Sequence, residues 1–162
     1  MEITYIEGDL LESDVDVICH QVNCRGRMRS GIAKQIREKY PDVYTQYTRL
    51  VYFYNETDRE LLSNVLTVVG DRNDPNSPVI ANIFSQKDYG YDGKQYTDYD
   101  ALNNGLIAIN KKYPDKNIGI PYKIGCGLGG GDWSVVERII IDVFKDKTNG
   151  SVRIYKLPER KD

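Results

Sequence analysis

The sequence contains few of the residues from which metal sites and disulfide frameworks are built. It has one histidine, His20, and three cysteines among 162 residues. Cys19, Cys24 and Cys126 are odd in number and no two have the CxxC spacing, which argues against a disulfide framework and against a zinc site. No cluster of carboxylates indicates another metal. We therefore expect reduced thiols, no metal and no cofactor.

Long hydrophobic runs are also missing. No apolar stretch approaches the roughly 20 residues that a membrane helix requires. The first ten residues, MEITYIEGDL, lack the basic region and the apolar core of a signal peptide. These features predict a cytoplasmic protein. The chain is long enough for one domain with a real core and too short for two, so we expect a single domain over residues 1–162 and a monomer.

An excess of positive charge is absent too. The net charge is −2 at pH 7 and the isoelectric point is about 5.5. Recognition of nucleic acid usually begins with a basic face, so the overall charge does not favour a nucleic-acid-binding protein. A local site for a small anion remains compatible with this composition.

Strand and helix patterns alternate along the chain. Runs rich in β-branched residues predict strands over residues 3–6, 15–23, 61–70, 77–85, 117–125 and 151–157. Apolar residues at helical spacing predict helices over residues 31–39, 41–54, 97–113 and 132–144. Thr97 to Asp100 is similar to a capping box, and Asp132 is the expected N-cap of the last helix. This order predicts a layered α/β fold.

The stretch IGCGLGGGDW, residues 124–133, has five glycines in ten residues and leads into the last predicted helix. Successive glycines before a helix N-terminus expose backbone N–H groups, which together with the helix dipole can bind a phosphate or a diphosphate. The stretch lacks the Lys-Ser or Lys-Thr of a Walker loop and does not match GxGxxG with its acidic partner. A flexible strand-to-helix turn is the alternative interpretation.

Three segments in this order and spacing resemble the macrodomain family: GDLLESDVDVICHQVNCRGRMRSGIAKQI, VIANIFSQKDYGYDGKQYTDY and IGIPYKIGCGLGGGDW. Within the family, the chain is similar to ADP-ribose-1''-phosphate phosphatases and terminal ADP-ribose glycohydrolases. The resemblance runs from Ile3 to Leu157. It implies a three-layer α/β/α fold around a central mixed sheet, with ADP-ribose in a cleft at the crest of the sheet.

The resemblance also implies roles for individual positions. Asp9 corresponds to the aspartate that recognises the adenine amino group, and Tyr155 and Leu157 to positions that flank the adenine. Asn23 lies in the loop around the distal ribose, and residues 124–130 correspond to the diphosphate loop. The implied ligand-binding residues are Asp9, Leu10, Gln21, Val22, Asn23, Met28, Arg29, Ser30, Gly31, Ile32, Ala33, Ser85, Gln86, Ile124, Gly125, Cys126, Gly127, Leu128, Gly129, Gly130, Tyr155 and Leu157.

The chain departs from the family pattern at three of these positions. Arg29 stands where the family has a small residue, and its guanidinium either points to solvent or reaches a phosphate on the distal ribose. Gln86 and Gly129 stand where the terminal glycohydrolases have a lysine and an aspartate. Glutamine forms no lysyl adduct and glycine takes no proton, which disfavours that chemistry unless the neighbouring Lys87 substitutes.

His20 and Asp132 are then the catalytic candidates. The phosphatase-like branch also has a histidine at the position of His20, and an imidazole can give or take a proton near neutral pH. Asp132 could orient a water near the distal ribose. A structural role is the alternative for both residues: a buried histidine in one case and a helix cap in the other.

These expectations lead to one favoured function and three alternatives. The favoured function is binding of ADP-ribose with metal-independent hydrolysis of ADP-ribose-1''-phosphate. The alternatives are a non-catalytic reader of ADP-ribose, a de-ADP-ribosylase acting on protein or nucleic acid, and a scaffold whose Tyr40, Tyr44 and Tyr47 face binds another protein. The expected partner is ADP-ribose or an ADP-ribosylated substrate, and nucleic acid is expected only as such a substrate.

Overall fold

The computed structural model describes residues 3–158, which form a six-stranded mixed sheet. The strands follow the order β1-β6-β5-β2-β4-β3, and β3 alone is antiparallel to its neighbour. Their bounds are β1 Ile3–Glu7, β2 Val17–Asn23, β3 Val65–Val69, β4 Val79–Gln86, β5 Ile118–Pro121 and β6 Val152–Lys156. All six predicted strands are therefore present.

Four helices cover the two faces of this sheet: α1 Gly31–Lys39, α2 Pro41–Asn55, α3 Tyr99–Lys112 and α4 Trp133–Phe144. Helices α1 and α2 bury apolar residues at helical spacing against one face, where Ile18 and Phe84 meet them. Helices α3 and α4 do the same on the other face, against Val17 and Ile83. The expected three-layer α/β/α architecture with a mixed sheet is thus confirmed.

Some predicted boundaries need correction. Strand β2 begins at Val17, two residues later than predicted. The N-cap of α3 is Asp98 instead of Thr97, because the Asp98 carboxylate accepts a hydrogen bond from the Ala101 N–H. A short 3-10 turn, Leu10–Glu12, follows β1 and was not predicted. It buries Leu10 in the core beneath the sheet crest.

The tyrosines of the proposed scaffold face belong mostly to the core. Tyr40 and Tyr47 are buried in the cluster under α1 and α2, and Tyr47 stacks on Phe84 with ring centroids 5.7 Å apart. Tyr44 packs against the same cluster and lies under the Arg37 guanidinium. This surface is therefore not available as a tyrosine-rich face for a partner protein. Within residues 3–158, no helix is both long and apolar enough to cross a membrane.

The parallel strands place the candidate site. Because β1, β6, β5, β2 and β4 run in the same direction, their carboxyl ends meet at one edge of the sheet. The loops that follow these strands converge there, which is where ligands bind in parallel α/β sheets. We call this edge the crest.

Candidate functional site

A cleft of about 610 Å³ lies along the crest. Its walls come from the ends of the parallel strands and from the loops that follow them. It brings together most of the predicted ligand-binding residues from five separate segments of the chain. These are Asp9, Leu10, Gln21, Val22, Asn23, Arg29, Ser30, Gly31, Ile32, Ala33, Gln86, Ile124, Gly125, Gly127, Leu128, Gly129, Tyr155 and Leu157.

Four predicted ligand-binding residues do not line the cleft. Met28 is a core residue, since only 1% of it is exposed. Ser85 is buried and its hydroxyl donates to the side-chain oxygen of Gln21. Cys126 packs against the α3 and α4 cluster, and burial raises its thiol pKa. Gly130 lies against the backbone at Lys94. These residues support the wall from behind.

The glycine-rich loop, residues 124–131, is held by its own backbone. The Gly131 N–H donates to the Gly125 carbonyl at 2.9 Å, and Gly125 and Gly130 have φ angles of +73° and +71°. Four other N–H groups of the loop lack a hydrogen-bond partner among residues 3–158, and their residues line the cleft. These groups belong to Gly125, Gly127, Leu128 and Gly129. The loop thus offers unpartnered donors where an anion could lie.

A partly buried polar network fixes this loop to the sheet. The Gln21 amide N–H group donates to the Gln86 side-chain oxygen at 2.7 Å and to the Thr97 hydroxyl at 2.8 Å. Thr97 donates in turn to the Gly125 carbonyl at 2.6 Å. The backbone N–H groups of Tyr96 and Thr97 both donate to the Gly129 carbonyl. Because these bonds are mostly shielded from water, they hold the loop in one arrangement.

Asn23 organises the loop after β2. Its side-chain oxygen accepts from the Arg25 N–H at 2.9 Å and its amide donates to the Arg27 carbonyl at 2.9 Å. The buried Tyr47 hydroxyl donates to the Asn23 backbone carbonyl at 2.6 Å and accepts from the Arg27 N–H at 3.1 Å. Asn23 therefore fixes the shape of the cleft at the ends of β2 and β4, which we call the distal end. Asn23 also lines the cleft there.

His20 is not positioned for catalysis, which corrects the sequence interpretation. It lies in the middle of β2, is fully buried and does not line the cleft. Its Nε2 atom bonds the Asn82 side-chain oxygen at 2.6 Å, and Nδ1 has no partner among residues 3–158. Burial lowers the pKa of His20 to about 4, although the bond to Asn82 opposes this shift. A neutral imidazole in the core is a structural residue.

Asp132 is a helix cap outside the cleft lining. Its carboxylate accepts from the Ser134 N–H at 2.9 Å and from the Ser134 hydroxyl at 2.7 Å. The two bonds hold the Asp132 pKa below its usual range. Both observations support the capping role and leave the carboxylate aimed at its own helix.

Asp132→Ala should therefore reduce stability and spare turnover. Removing an N-cap acceptor costs about 1 kcal/mol of unfolding free energy, measured by urea denaturation. Ser134→Ala is the matched control, because it keeps the backbone bond that closes the cap. A variant of unchanged stability that lost all turnover would contradict this role and return Asp132 to the catalytic site.

Gln86, Lys87 and Gly129 do not supply the lysine and aspartate that the terminal glycohydrolases have at this end of the cleft. Gln86 bridges the Gln21 amide and the Asp88 carbonyl. Lys87 lines a separate depression of about 170 Å³ instead of the cleft, so the possibility that it replaces the lysine is not supported. A Cβ atom at Gly129 would lie 2.6 Å from the Thr97 hydroxyl and 2.7 Å from the Gly125 carbonyl. The Thr97 bridge therefore leaves no room for an aspartate there.

The opposite end of the cleft carries its only lining carboxylate among residues 3–158. Asp9 accepts a hydrogen bond from the Leu11 N–H at 2.9 Å, so it caps the 3-10 turn as well as lining the cleft. Tyr155 and Leu157 line the same cleft, with Tyr155 largely buried and Leu157 exposed. One carboxylate oxygen of Asp9 is thus left for a donor such as an amine.

Several lining residues were not predicted from the sequence. Some are neighbours in the sequence of predicted ligand-binding residues. Others lie in the loop after β4, where the length and polarity of the loop were the only features of the sequence that indicated a binding role. Thr97 was assigned to a helix cap, so its role in the loop network was missed. The additional lining residues are Gly8, Arg27, Gln35, Tyr89, Gly90, Tyr91, Pro121, Tyr122, Lys123 and Lys156.

Comparison with known proteins identifies relatives with this fold. No protein-family model matches the chain. The chain is 29% identical over 154 residues, or 94% of its length, to a DNA ADP-ribosyl glycohydrolase of Mycobacterium tuberculosis. It spans only 42% of that relative's length. The macrodomain of Mycobacterium tuberculosis DarG superposes with a TM-score of 0.79 at 26% identity, covering 98% of this chain and 99% of the other.

A second similarity is shorter. A stretch of 47 residues, or 28% of this chain, is 43% identical to an ADP-ribose 1''-phosphate phosphatase of Aspergillus fumigatus and covers 24% of that protein. The structural agreement over nearly the whole chain confirms the macrodomain fold that the sequence resemblance implied.

Proposed function

We propose that this chain, which has the macrodomain fold, binds ADP-ribose in the crest cleft and removes it from a modified nucleic acid. The proposal that the chain binds ADP-ribose rests on the geometry of the cleft. The proposal that it removes ADP-ribose from nucleic acid is supported by the glycohydrolase named above, whose similarity covers 94% of this chain, against 28% for the phosphatase.

The observation that carries ADP-ribose binding is the set of unpartnered N–H groups in the glycine-rich loop. These donors belong to Gly125, Gly127, Leu128 and Gly129, all of which line the cleft. They are fixed by the Thr97 bridge, so they need no rearrangement to meet a diphosphate. The N-terminus of α4 follows directly and adds the positive end of its dipole.

The resemblance to macrodomains implies where the other parts of ADP-ribose lie in the cleft. The free oxygen of Asp9 suits the adenine amino group, and Tyr155 lines the same cleft. The distal ribose then lies toward Asn23 and Gln86, at the ends of β2 and β4. This placement leaves the anomeric carbon of the distal ribose at the mouth between the loops that follow these two strands.

Hydrolysis at this carbon requires a water oxygen to form the new bond and the leaving group to take a proton. The described residues at the distal end include no carboxylate and no imidazole. The chain's contribution is therefore positioning: it holds the ribose while water attacks and the leaving base is protonated from solvent. Such a site predicts slow turnover.

A non-catalytic reader is the second candidate, and Gln86 favours it. Its amide is held between Gln21 and Asp88 and supplies neither a nucleophile nor a general base.

Removal of phosphate from ADP-ribose-1''-phosphate is the third candidate function. The histidine proposed for it lies in the core, so it too would depend on positioning alone.

The test combines calorimetric titration with ADP-ribose and two release assays on the same protein. We expect binding, together with slow release of ADP-ribose from an oligonucleotide that carries one modified base. Binding without any release would favour the reader. Phosphate release from ADP-ribose-1''-phosphate alone would favour the phosphatase. Absence of ADP-ribose binding would overturn the proposal.

Gln86→Lys should increase the release of ADP-ribose at least about tenfold, because it places an amine nucleophile at the distal ribose. The substitution also removes the bonds of Gln86 to Gln21 and Asp88, so calorimetry must show that ADP-ribose still binds. Lys87→Gln is the matched control, since Lys87 lines the separate depression and its loss should leave release unchanged. Equal rates for Gln86→Lys and the unmodified protein would count against the assigned position of the reacting carbon.

A further inference from the structure

We propose that the cleft contains a subsite for a phosphate group on the adenosine ribose, formed by Lys123, Lys156 and Tyr122. With this subsite, the cleft binds an ADP-ribose moiety that carries the additional phosphomonoester more tightly than plain ADP-ribose. The inference deepens the proposed function and rests on it for the direction in which the ligand lies.

The order of the strands places the two lysines between the adenine and the diphosphate. Along the crest, β6 and β5 lie between β1 and β2. Asp9 follows β1 at the end assigned to adenine, and the glycine-rich loop follows β5. Lys156 is the last residue of β6, and Lys123 lies between β5 and that loop. In ADP-ribose the adenosine ribose joins the adenine to the diphosphate, so this ribose lies beside the two lysines.

Both ammonium groups lie near one aromatic ring. The Nζ atoms of Lys156 and Lys123 are 5.1 Å and 5.6 Å from the centre of the Tyr122 ring, and all three residues line the cleft. The ring packs edge-on against Trp133, with ring centroids 5.1 Å apart. The Tyr122 N–H donates to the Tyr155 carbonyl at 2.8 Å. Tyr122 is thus a fixed partner that holds two cations at the same place.

The two cations lack a negative partner in the protein. Neither Lys123 nor Lys156 forms an ion pair within the described part of the chain, residues 3–158. Glu7 lies opposite Lys156 in the register of β1 and β6 but forms no ion pair with it. The Asp9 carboxylate caps its own turn. A ligand is therefore left to supply the opposite charge.

Plain ADP-ribose does not supply this charge. Its two phosphates already meet the N–H donors of the glycine-rich loop, and its adenosine ribose is neutral. A phosphomonoester on that ribose adds a charge of about −1.5 to −2 at pH 7 and three strong acceptor oxygens. Ammonium groups donate charge-assisted hydrogen bonds to such oxygens. The same phosphate distinguishes NADP from NAD, and dinucleotide-binding proteins recognise it with a nearby cation.

The backbone at Lys123 supports a role for its side chain. Lys123 has a φ of +61°, in the left-handed region that favours glycine. This conformation belongs to the turn into the glycine-rich loop, where the Lys123 carbonyl accepts from the Cys126 N–H at 2.9 Å. Glycine would form the same turn with less strain, so the turn does not require a lysine. Strained residues of this kind cluster where a side chain contacts a ligand.

The test is calorimetric titration of the protein with ADP-ribose, ADP-ribose 2'-phosphate and ADP-ribose 3'-phosphate. The two phosphorylated ligands distinguish the two hydroxyls of the adenosine ribose that can carry the group. Lys123→Gln/Lys156→Gln removes both charges and keeps polar side chains in place. Lys123→Gly removes one charge and relieves the strained backbone, so thermal unfolding should show a protein at least as stable as the unmodified one. Failure to fold therefore does not explain a changed affinity in this variant.

The end of α3 offers a matched control. Lys111 and Lys112 are exposed and lie outside the cleft lining. Lys112 lies over the Tyr113 ring at 5.6 Å, which reproduces the contact of Lys123 with its own ring. Lys111→Gln/Lys112→Gln thus removes two charges and a cation–aromatic contact away from the cleft.

We expect at least one phosphorylated ligand to bind the unmodified protein about tenfold or more tightly than ADP-ribose at about 0.1 M salt. The preference should fall to about threefold or less at about 1 M salt, because salt screens exposed charges. Lys123→Gln/Lys156→Gln should abolish the preference and change the affinity for ADP-ribose by less than about twofold. Lys123→Gly should reduce the preference, and the α3 control should retain it.

Three outcomes would overturn the subsite. One is equal affinity of the unmodified protein for all three ligands. Another is a preference that the α3 control lowers as much as the variants of Lys123 and Lys156 do. The third is a loss of affinity by the same factor for all three ligands in those variants, which would assign the lysines to the diphosphate. A failure of the proposed function has a different signature, because none of the three ligands would then bind.

Discussion

Gly130→Ala is expected to destabilise the protein by about 3 kcal/mol and to weaken ADP-ribose binding more than tenfold. Gly130 has a φ of +71°, a conformation that side chains with a Cβ atom rarely adopt. A Cβ atom there would overlap the Lys94 carbonyl and lie 3.0 Å from the Gln95 Cα atom. Backbone cannot swing aside as a flexible side chain can.

The effect on binding follows from the position of the overlap. Lys94 and Gln95 precede the two N–H groups that hold the Gly129 carbonyl, so separating them from Gly130 releases the Thr97 bridge. The loop donors then lose their fixed directions. Thermal unfolding and calorimetric titration with ADP-ribose measure the two effects.

Gly127→Ala is the matched control for stability. Gly127 lies in the same loop, and a Cβ atom there would meet nothing within 4 Å. Its unfolding free energy should stay close to that of the unmodified protein. If both variants unfolded alike, the loop would not be held by the contact between Gly130 and residues 94–95.

The second large effect is a loss of stability in mild acid caused by His20. The pKa of His20 is lowered from 6.5 to about 4 in the folded protein, because burial disfavours its charged form. The unfolded chain therefore binds a proton at a pH where the folded chain does not. This group's contribution to stability is complete above pH 6.5 and is lost as the pH falls toward 4.

The size of the loss follows from the shift. Between pH 7.5 and pH 4.5 the contribution of His20 should fall by about 2.5 kcal/mol. Urea denaturation at several pH values measures this loss directly. The exposed carboxylates Asp88, Asp92 and Asp132 have pKa values below their usual range, so their contribution to stability is lost only below about pH 5, at the acid end of this window.

His20→Gln provides the comparison. A glutamine amide can still donate toward the Asn82 oxygen but does not titrate. The difference in unfolding free energy between the two proteins should therefore change with pH between 6.5 and 4 by the amount above. A difference that stayed constant across this range would show that His20 is already protonated or exposed in the folded state.

Thr97 and Gln86 illustrate how this chain departs from the sequence pattern of the lysine-dependent glycohydrolases. Thr97 occupies the space that an aspartate at residue 129 would need, and it uses that space to fix the diphosphate loop. Gln86 is used in the same network. The polar side chains at the distal end therefore form hydrogen bonds that hold the loop in place. This arrangement suits ligand binding better than proton transfer.

Local patterns in the sequence were sufficient for the elements of the fold. Apolar residues at helical spacing, such as Val136, Ile140 and Phe144, place one side of α4 against the sheet whatever lies around it. The Asp132 cap is a bond between residues two apart, so the sequence contains both partners. The resemblance to macrodomains added the order of the loops around the cleft, because three motifs in register imply their convergence at one edge of the sheet.

The roles of the polar residues depended on contacts between distant parts of the chain. His20 and Lys87 both neighbour residues that line the cleft, yet His20 is buried in the middle of β2, away from the carboxyl end of the strand, and Lys87 lines a separate depression. Thr97 meets Gly125 across 28 residues. Side-chain direction and long-range hydrogen bonding are set only when the strands pair, because a shift of one residue in register would reverse every face. For that reason the chain's pattern indicated where a ligand would lie, and the folded arrangement decided which side chains could reach it.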